Sequence, residues 1–248
     1  MHAVILLAGY GSRLNRADLP HKSLLPVGDE TLLSRHLKIL DSLEIAQIHL
    51  VVGHNKEAVK DYVRGLGITT PVKFIDNDAY RTTGNTLSLV LGLRQAQGPV
   101  LVMDADVLYP RAVLKDYVQT TRPSSFAVVA VDADDAEASK VLLDDTGRIH
   151  SFVTKRLLTA EEQSLYTIAG EAIGFFLLDP AAVGHLLAAY DRNEAQYRLT
   201  LWEIPFSDIA PQVEMKPYYI DHTGCIEIDT QEDYEAALRL LEQHPQDY

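Results

Sequence analysis

Residues able to do chemistry fall in three short stretches. The first, LLAGYGSRLNRADLPHKSLLPVG over 6–28, places Gly9 and Gly11 just after an apolar run and then supplies Arg13 and Lys22. Glycines so spaced let the backbone turn and aim N–H groups at an anion, while the two cations add charge. The third glycine of a dinucleotide-binding fingerprint is missing, and no Gly-Lys-Ser/Thr closes the loop as in a P-loop. The second stretch is MDADV, 103–107, where Asp104 and Asp106 end a buried run. Alternate strand residues share a face, so both carboxylates are expected to project together, and adjacent like charges call for a cation such as magnesium. The third is GCIEIDT, 224–230, in which Asp229 precedes a helix start. The local pattern reads Asp229 as an N-cap, a role that changes only if the fold brings it beside Asp106.

The elements that must position these residues alternate. Apolar runs at 2–8, 48–53, 71–76 and 99–106 have the composition of buried strands. Between them, leucines at helical spacing over 31–43, a helix capped by Asn55 to about Arg64, and a helix from Gly84 to Ala96 complete a strand–helix alternation. This order predicts a mostly parallel sheet covered by helices. Runs at 125–131, 140–144, 148–153 and 171–179 read as further strands, partly antiparallel, with an Asp-Thr-Gly turn at 145–147. Helical patterns follow at 180–191 and from Gln231 onward. The expectation is one α/β domain over 1–248, with a nucleotide-binding half at about 1–130 and an irregular acceptor-binding half at about 131–248.

Composition narrows the function classes. The 248 residues carry 47% hydrophobic residues, enough for a sizeable core, and a formal net charge of −13. So acidic a surface repels a phosphate backbone, so a duplex nucleic-acid partner is excluded and an anionic substrate needs a local basic site. The single cysteine, Cys225, suits a reducing compartment. The apolar start HAVILLA is short and has no preceding basic residue, and no run reaches the roughly 18 to 20 residues of a membrane span. A cytoplasmic protein without a membrane partner is expected.

Taken in order, LAGYGSRL, HKSLLPVG, MDADV and EIDT resemble the nucleotidyltransferase superfamily, which joins a nucleoside triphosphate to a phosphorylated acceptor, over about residues 3–240. The resemblance implies a Rossmann-like GT-A-type fold with a mixed sheet, magnesium dependence and release of pyrophosphate. His21-Lys22, where sugar-phosphate members carry Pro-Lys, and Leu-Trp-Glu-Ile-Pro at 201–205 are similar to phosphocholine cytidylyltransferases. Gly-Glu-Ala-Ile-Gly at 170–174 resembles a motif of phosphonate cytidylyltransferases, and Asn85 in TTGNTLSL resembles one of inositol-phosphate cytidylyltransferases.

The roles that follow are implied by that resemblance. Asp106 and Asp229 hold magnesium, while Lys22, Arg13 and Asp106 form the catalytic set. The nucleotide-contacting set is Leu7, Ala8, Gly9, Gly11, Ser12, Arg13, Lys22, Asn85, Thr86 and Asp104. Lys155, Glu171, Tyr190, Tyr197, Trp202 and Glu203 are the acceptor-side candidates, an aromatic wall with carboxylates that would suit a cationic amine. The expected partners are CTP and a small acceptor of phosphocholine or 2-aminoethylphosphonate type, and a homodimer is allowed. The alternatives are a sugar-1-phosphate or inositol-phosphate nucleotidyltransferase and a non-catalytic nucleotide-binding module. A glycosyltransferase of related fold would share the Asp-x-Asp but gives no reason for the glycine loop.

Overall fold

The computed structural model describes residues 1–14, 16, 18–121, 124–220 and 224–248. Its central strands are the near-continuous apolar runs, because a strand covered on both faces has no polar side to show. Among the described residues nine strands form one sheet: β1 His2–Leu7, β2 Gln47–Val52, β3 Val72–Asp76, β4 Val100–Asp104, β5 Ser125–Val129, β6 Lys140–Leu143, β7 Ile149–Val153, β8 Thr167–Leu178 and β9 Lys216–Tyr219. The order is β7-β6-β8-β4-β1-β2-β3, with β5 pairing both β8 and β9. β4, β1, β2 and β3 run parallel, joined through helices Leu32–Asp41, Lys56–Arg64 and Asn85–Leu93. β8 is antiparallel to β4, β5 and β6. The sheet is thus mixed, α/β and mostly parallel at its centre, as the sequence predicts.

Strand alternation distributes the core. Val4 and Leu6 of β1 join the cluster under the Asn85–Leu93 helix, while Ala3, Ile5 and Leu7 join the one under the Leu32–Asp41 helix. Two buried layers therefore clamp β1, and its carboxyl end releases the glycine loop at a fixed height.

β8 is longer than expected and changes partners along its length. It pairs with β6 near Thr167, and with β4 from Phe175 onward. Gly174 makes the crossing tight: φ is +71, and a Cβ there would lie 2.9 Å from Val107 Cγ2 and 3.2 Å from Asp104 Cβ. Only glycine fits this left-handed position against the site.

Several local expectations are corrected. The fourth strand ends at Asp104, since Ala105 and Asp106 turn out of it, so the two aspartates do not share a strand face. Asn55 sits at the N-cap with φ 44 but makes no side-chain cap bond; its Nδ2 donates to Pro20 O at 2.5 Å instead. Helix Glu203–Ile209 and strand β9 lie where no regular element was anticipated. No helix among the described residues is long and apolar enough to cross a membrane.

Candidate active site

A small antiparallel pair gathers the acids. Val107–Leu108 pairs with Ile226–Glu227, and Ile228 N donates to Asp106 O at 2.9 Å, stitching the third stretch onto the second. Thr230, not Asp229, caps the following helix: its side chain accepts from Asp233 N, and Asp233 Oδ2 accepts from the N–H groups of Thr230 at 2.7 Å and Asp229 at 3.0 Å. Relieved of capping, the Asp229 carboxylate turns to the cations. One oxygen each from Asp106, Glu227 and Asp229 lies within 4.8 Å of the others.

Lys22 and Arg13 meet this cluster. Lys22 Nζ donates to Asp106 Oδ2 at 2.8 Å and Asp229 Oδ1 at 2.7 Å, and Arg13 Nη2 lies 2.6 Å from Asp229 Oδ2. Gly11, at φ +62, is pressed on the lysine stem: a Cβ there would lie 2.9 Å from Lys22 Cβ. Burial works against the lysine charge, but Asp106 and Asp229 outweigh it and raise the Lys22 pKa above its ordinary value. Burial, then the charges of Asp106 and Asp229, push Glu227 up to about 8. Burial and then Asp106 likewise raise Asp104 well above the usual carboxylate range. His21 is held neutral at neutral pH, lowered to about 4 chiefly by burial, and its Nδ1 accepts from Ser23 N at 3.1 Å to start the turn that carries Lys22.

These residues fit a hard divalent cation. The donors are carboxylate oxygens, the set that magnesium prefers. Asp106 Oδ1 is buried with no hydrogen-bond partner among the described residues, and Glu227 has negative neighbours crowding it, so a divalent charge would satisfy both. Asp106, Glu227 and Asp229 would hold it.

The site opens into a cavity of about 580 Å³ lined by Ala8, Gly9, Arg13, Asn85, Asp104, Asp106 and Asp229, and also by Lys155, Glu171, Trp202 and Glu203. A second hollow of about 320 Å³ is lined by Leu7, Gly9, Gly11, His21, Lys22 and Asp106. The side chain of Ser12 lies outside the described residues.

Five of the expected site residues are arranged differently. Thr86 lines neither cavity: it is buried, and its Oγ1 donates to Thr200 O at 2.9 Å. Asn85 borders the cavity, but its Oδ1 accepts from Trp202 N at 2.9 Å, so one end of the amide is committed to holding the 199–202 segment. Tyr190 and Tyr197 do not form an aromatic wall. Both are buried in the apolar core, where Tyr197 Oη donates to Asp208 Oδ2 at 2.6 Å. Trp202 is 3% exposed and packs among Phe126, Phe152, Phe176 and Phe206; only its edge reaches the cavity, with Nε1 directed to Asp104 Oδ2 at 3.4 Å. Aromatic side chains at these positions satisfy the core before any ligand.

Sequence reasoning missed Glu227, Ser139 and Asp135. For Glu227 the signal was partial: Glu227 and Asp229 stand two apart in EIDT, the spacing applied to Asp104 and Asp106, but the strand there ends at Glu227. Ser139 and Asp135 lie in an acidic loop with no pattern to mark them.

Comparison with known proteins agrees with this architecture. Residues 3–198 match the MobA-like NTP transferase domain, and the chain belongs to that family. Curated relatives include the bifunctional protein GlmU of Stenotrophomonas maltophilia, 28% identical over 81% of this chain and 43% of that protein. Another is the CMP-5'-(3-aminopropyl)phosphonate synthase of Streptomyces rubellomurinus, 27% identical over 78% of this chain and 36% of that one. The chain thus spans less than half the length of these curated relatives. Among solved structures, the CTP:phosphocholine cytidylyltransferase LicC of Streptococcus pneumoniae superposes with a TM-score of 0.77 at 21% identity, covering 97% of this chain and 98% of that one. The inositol-1-phosphate CTP transferase of T. maritima gives a TM-score of 0.71 at 18% identity, covering 97% of this chain and 96% of that one. The fold is that of the Rossmann-like nucleotidyltransferases.

Proposed function

We propose that the chain is a nucleotidyltransferase that moves CMP from CTP to a small phosphorylated or phosphonate acceptor and releases pyrophosphate. The observation that carries this reading is the meeting of Lys22 and Arg13 with Asp106, Glu227 and Asp229 at the mouth of the glycine loop. Cations that can neutralise a triphosphate stand beside acids that can hold its counter-ion, and a non-catalytic module needs no such pairing. CTP is supported by the likeness to a CTP:phosphocholine cytidylyltransferase, a CTP transferase and a CMP-phosphonate synthase.

In the transfer an acceptor oxygen forms a bond to the α-phosphorus as the bond to the bridging oxygen breaks, and that electron pair leaves with pyrophosphate. A phosphate monoester has its second pKa at about 6, so the attacking oxygen is ionised at neutral pH and no general base is required. The work of the site is positioning and charge stabilisation. Magnesium at the three acids would supply charge neutralisation between the two anions. Lys22 and Arg13 neutralise the phosphates, and backbone from Leu7 to Gly11 frames them. Asn85 holds the Trp202 segment that walls the cavity, and Ala8 and Gly9 leave room for the nucleoside. The acceptor enters beside Lys155, Glu171 and Glu203, in the half of the chain after about residue 130.

Pyrophosphate release with magnesium, across four nucleoside triphosphates and a panel of phosphocholine, 2-aminoethylphosphonate, inositol phosphate and hexose-1-phosphates, tests the reading. Turnover with CTP and a small amino-phosphorus acceptor is expected. Turnover only with a sugar phosphate or only with another nucleotide would replace the substrate assignment, and silence throughout would overturn the activity.

A further inference from the structure

The lining of the larger cavity carries acids that the proposed nucleotide contacts do not use. Asp135, Glu171 and Glu203 all border it, and Lys155 lines it as well. Glu203 is 6% exposed; its Oε1 accepts from Ser139 Oγ at 3.0 Å, while Oε2 is shielded from solvent and has no partner among the described residues. A buried carboxylate with an unmet oxygen is costly unless a donor arrives. Burial holds the Glu171 and Glu203 pKa values up, and Asp135 adds to the effect on Glu171, while Lys140 beside Glu171 and Lys155 beside Glu203 offset it only in part. The Asp135 loop is itself fixed: the fully buried Lys140 donates its ammonium protons to Asp135 O.

We infer that Glu203, with Glu171, Asp135 and the Ser139 hydroxyl, forms a subsite for a primary ammonium group on the acceptor. This rests on the transfer reading above and names the acceptor class within it. A quaternary ammonium has no N–H to give and is bound by aromatic faces. Here Tyr190 and Tyr197 are in the core and Trp202 offers only an edge. A neutral hydroxyl could satisfy one lone pair but would leave the carboxylate charges uncompensated. A primary ammonium supplies both three donors and a positive charge. The acceptor then lies with its ammonium on Glu203 and its phosphorus acid toward Lys155 and the Asp106 cluster.

The test compares kcat/KM for 2-aminoethylphosphonate, its trimethylammonium analogue and ethylphosphonate, with CTP and magnesium. The primary amine should exceed both others by about 10-fold or more, the range of a hydrogen bond to a charged group. Glu203→Gln, nearly isosteric, should cut the advantage over ethylphosphonate about 10-fold or more, mainly through the KM of the amine; Glu171→Gln should reduce it less. Equal kcat/KM for the amine and ethylphosphonate, a preference for the trimethyl compound, or an unchanged ratio in Glu203→Gln would overturn the subsite while leaving nucleotidyl transfer standing. If no phosphonate is turned over, calorimetric binding of the same three compounds to the CTP-bound protein decides: tighter binding of the primary amine supports the subsite, and equal binding overturns it.

Discussion

Lys22 Nζ sits between Asp106 Oδ2 and Asp229 Oδ1, at 2.8 and 2.7 Å, as the bridging cation of the two acids proposed to hold a metal. Its stem is boxed by Gly11 and its side chain is 9% exposed, so the contact is built in. One ammonium cannot satisfy three carboxylates. Asp106 Oδ1 has no hydrogen-bond partner among the described residues, and burial with the charges of Asp106 and Asp229 pushes Glu227 up to about 8. On the proposed function, the lysine and a metal would compete for the same acids until a triphosphate gave the lysine other oxygens to bind.

Lys22→Gln should separate these two roles. Turnover should fall about a hundredfold or more, the usual cost of removing a charge-stabilising donor. Manganese binding without nucleotide, followed by electron paramagnetic resonance, should become several-fold tighter because the competitor is gone. Weaker binding in the variant would show that the ammonium assembles the acids instead of occupying their site.

Glu227→Gln tests the third acid. Removing one oxygen donor should raise the half-saturating magnesium concentration about tenfold, with kcat at saturating metal reduced far less than in Asp106→Asn. A magnesium titration of initial rates reads both numbers. An unchanged half-saturation would leave only Asp106 and Asp229 in the metal set.

What the sequence made legible was set by how local the cause is. The runs that became β1, β2 and β4 were readable because burial on both faces leaves a continuous apolar signature. Arg13, Lys22, Asp106 and Asp229 converge from positions up to 216 residues apart, and only a family resemblance could join them. Tyr190, Tyr197 and Trp202 misled because an aromatic side chain carries the same letter in a core as in a binding wall. What decides is whether phenylalanines such as Phe126 and Phe176 surround it, as they do Trp202. Glu227 stands two residues before Asp229 in EIDT, but the strand there ends at Glu227, so it was the pairing of Ile226–Glu227 with Val107–Leu108 that brought it to Asp106.

Trp202 separates packing from recognition. Trp202→Ala should destabilise by about 3–5 kcal/mol, the cost of emptying a large buried aromatic site, and thermal unfolding will read it. Trp202→Phe should keep most of that stability while losing the donor at Asp104, so its effect should appear in catalysis more than in melting temperature. Loss of stability in the Phe variant as large as in Ala would mean that the indole edge, not the apolar ring, anchors the segment.

Gly174 and Gly28 make a matched pair at φ +71 and +66. A Cβ at Gly28 meets nothing within 4 Å, so Gly28→Ala should cost only the left-handed backbone penalty of about 1–2 kcal/mol. At Gly174 the same penalty is joined by contacts with Val107 and Asp104, so Gly174→Ala should cost about 1–3 kcal/mol more and should also lower turnover by displacing Asp104. Denaturant titrations of both variants give the difference. Equal stability losses would show that β8 can shift away from the site without cost.

The buried histidines set an acid limit on the fold. His36 is fully buried, stacked on Tyr109 with Nδ1 2.8 Å from Tyr109 Oη, and is lowered to about 4, mainly by burial and then by the Arg35 charge. In the unfolded chain it takes a proton near its ordinary value of 6.5, whereas the folded chain resists protonation until about 4. Between those values the unfolded state binds more protons, so stability falls as pH drops from 6.5 and levels off below 4. At pH 5 this one group should remove about 2 kcal/mol relative to pH 7. His36→Gln should flatten that part of the profile in urea denaturation at pH 7 and pH 5, although lost packing lowers its stability at both. An identical drop in the variant and the parent would assign the acid sensitivity to His21 and His49, each also lowered to about 4.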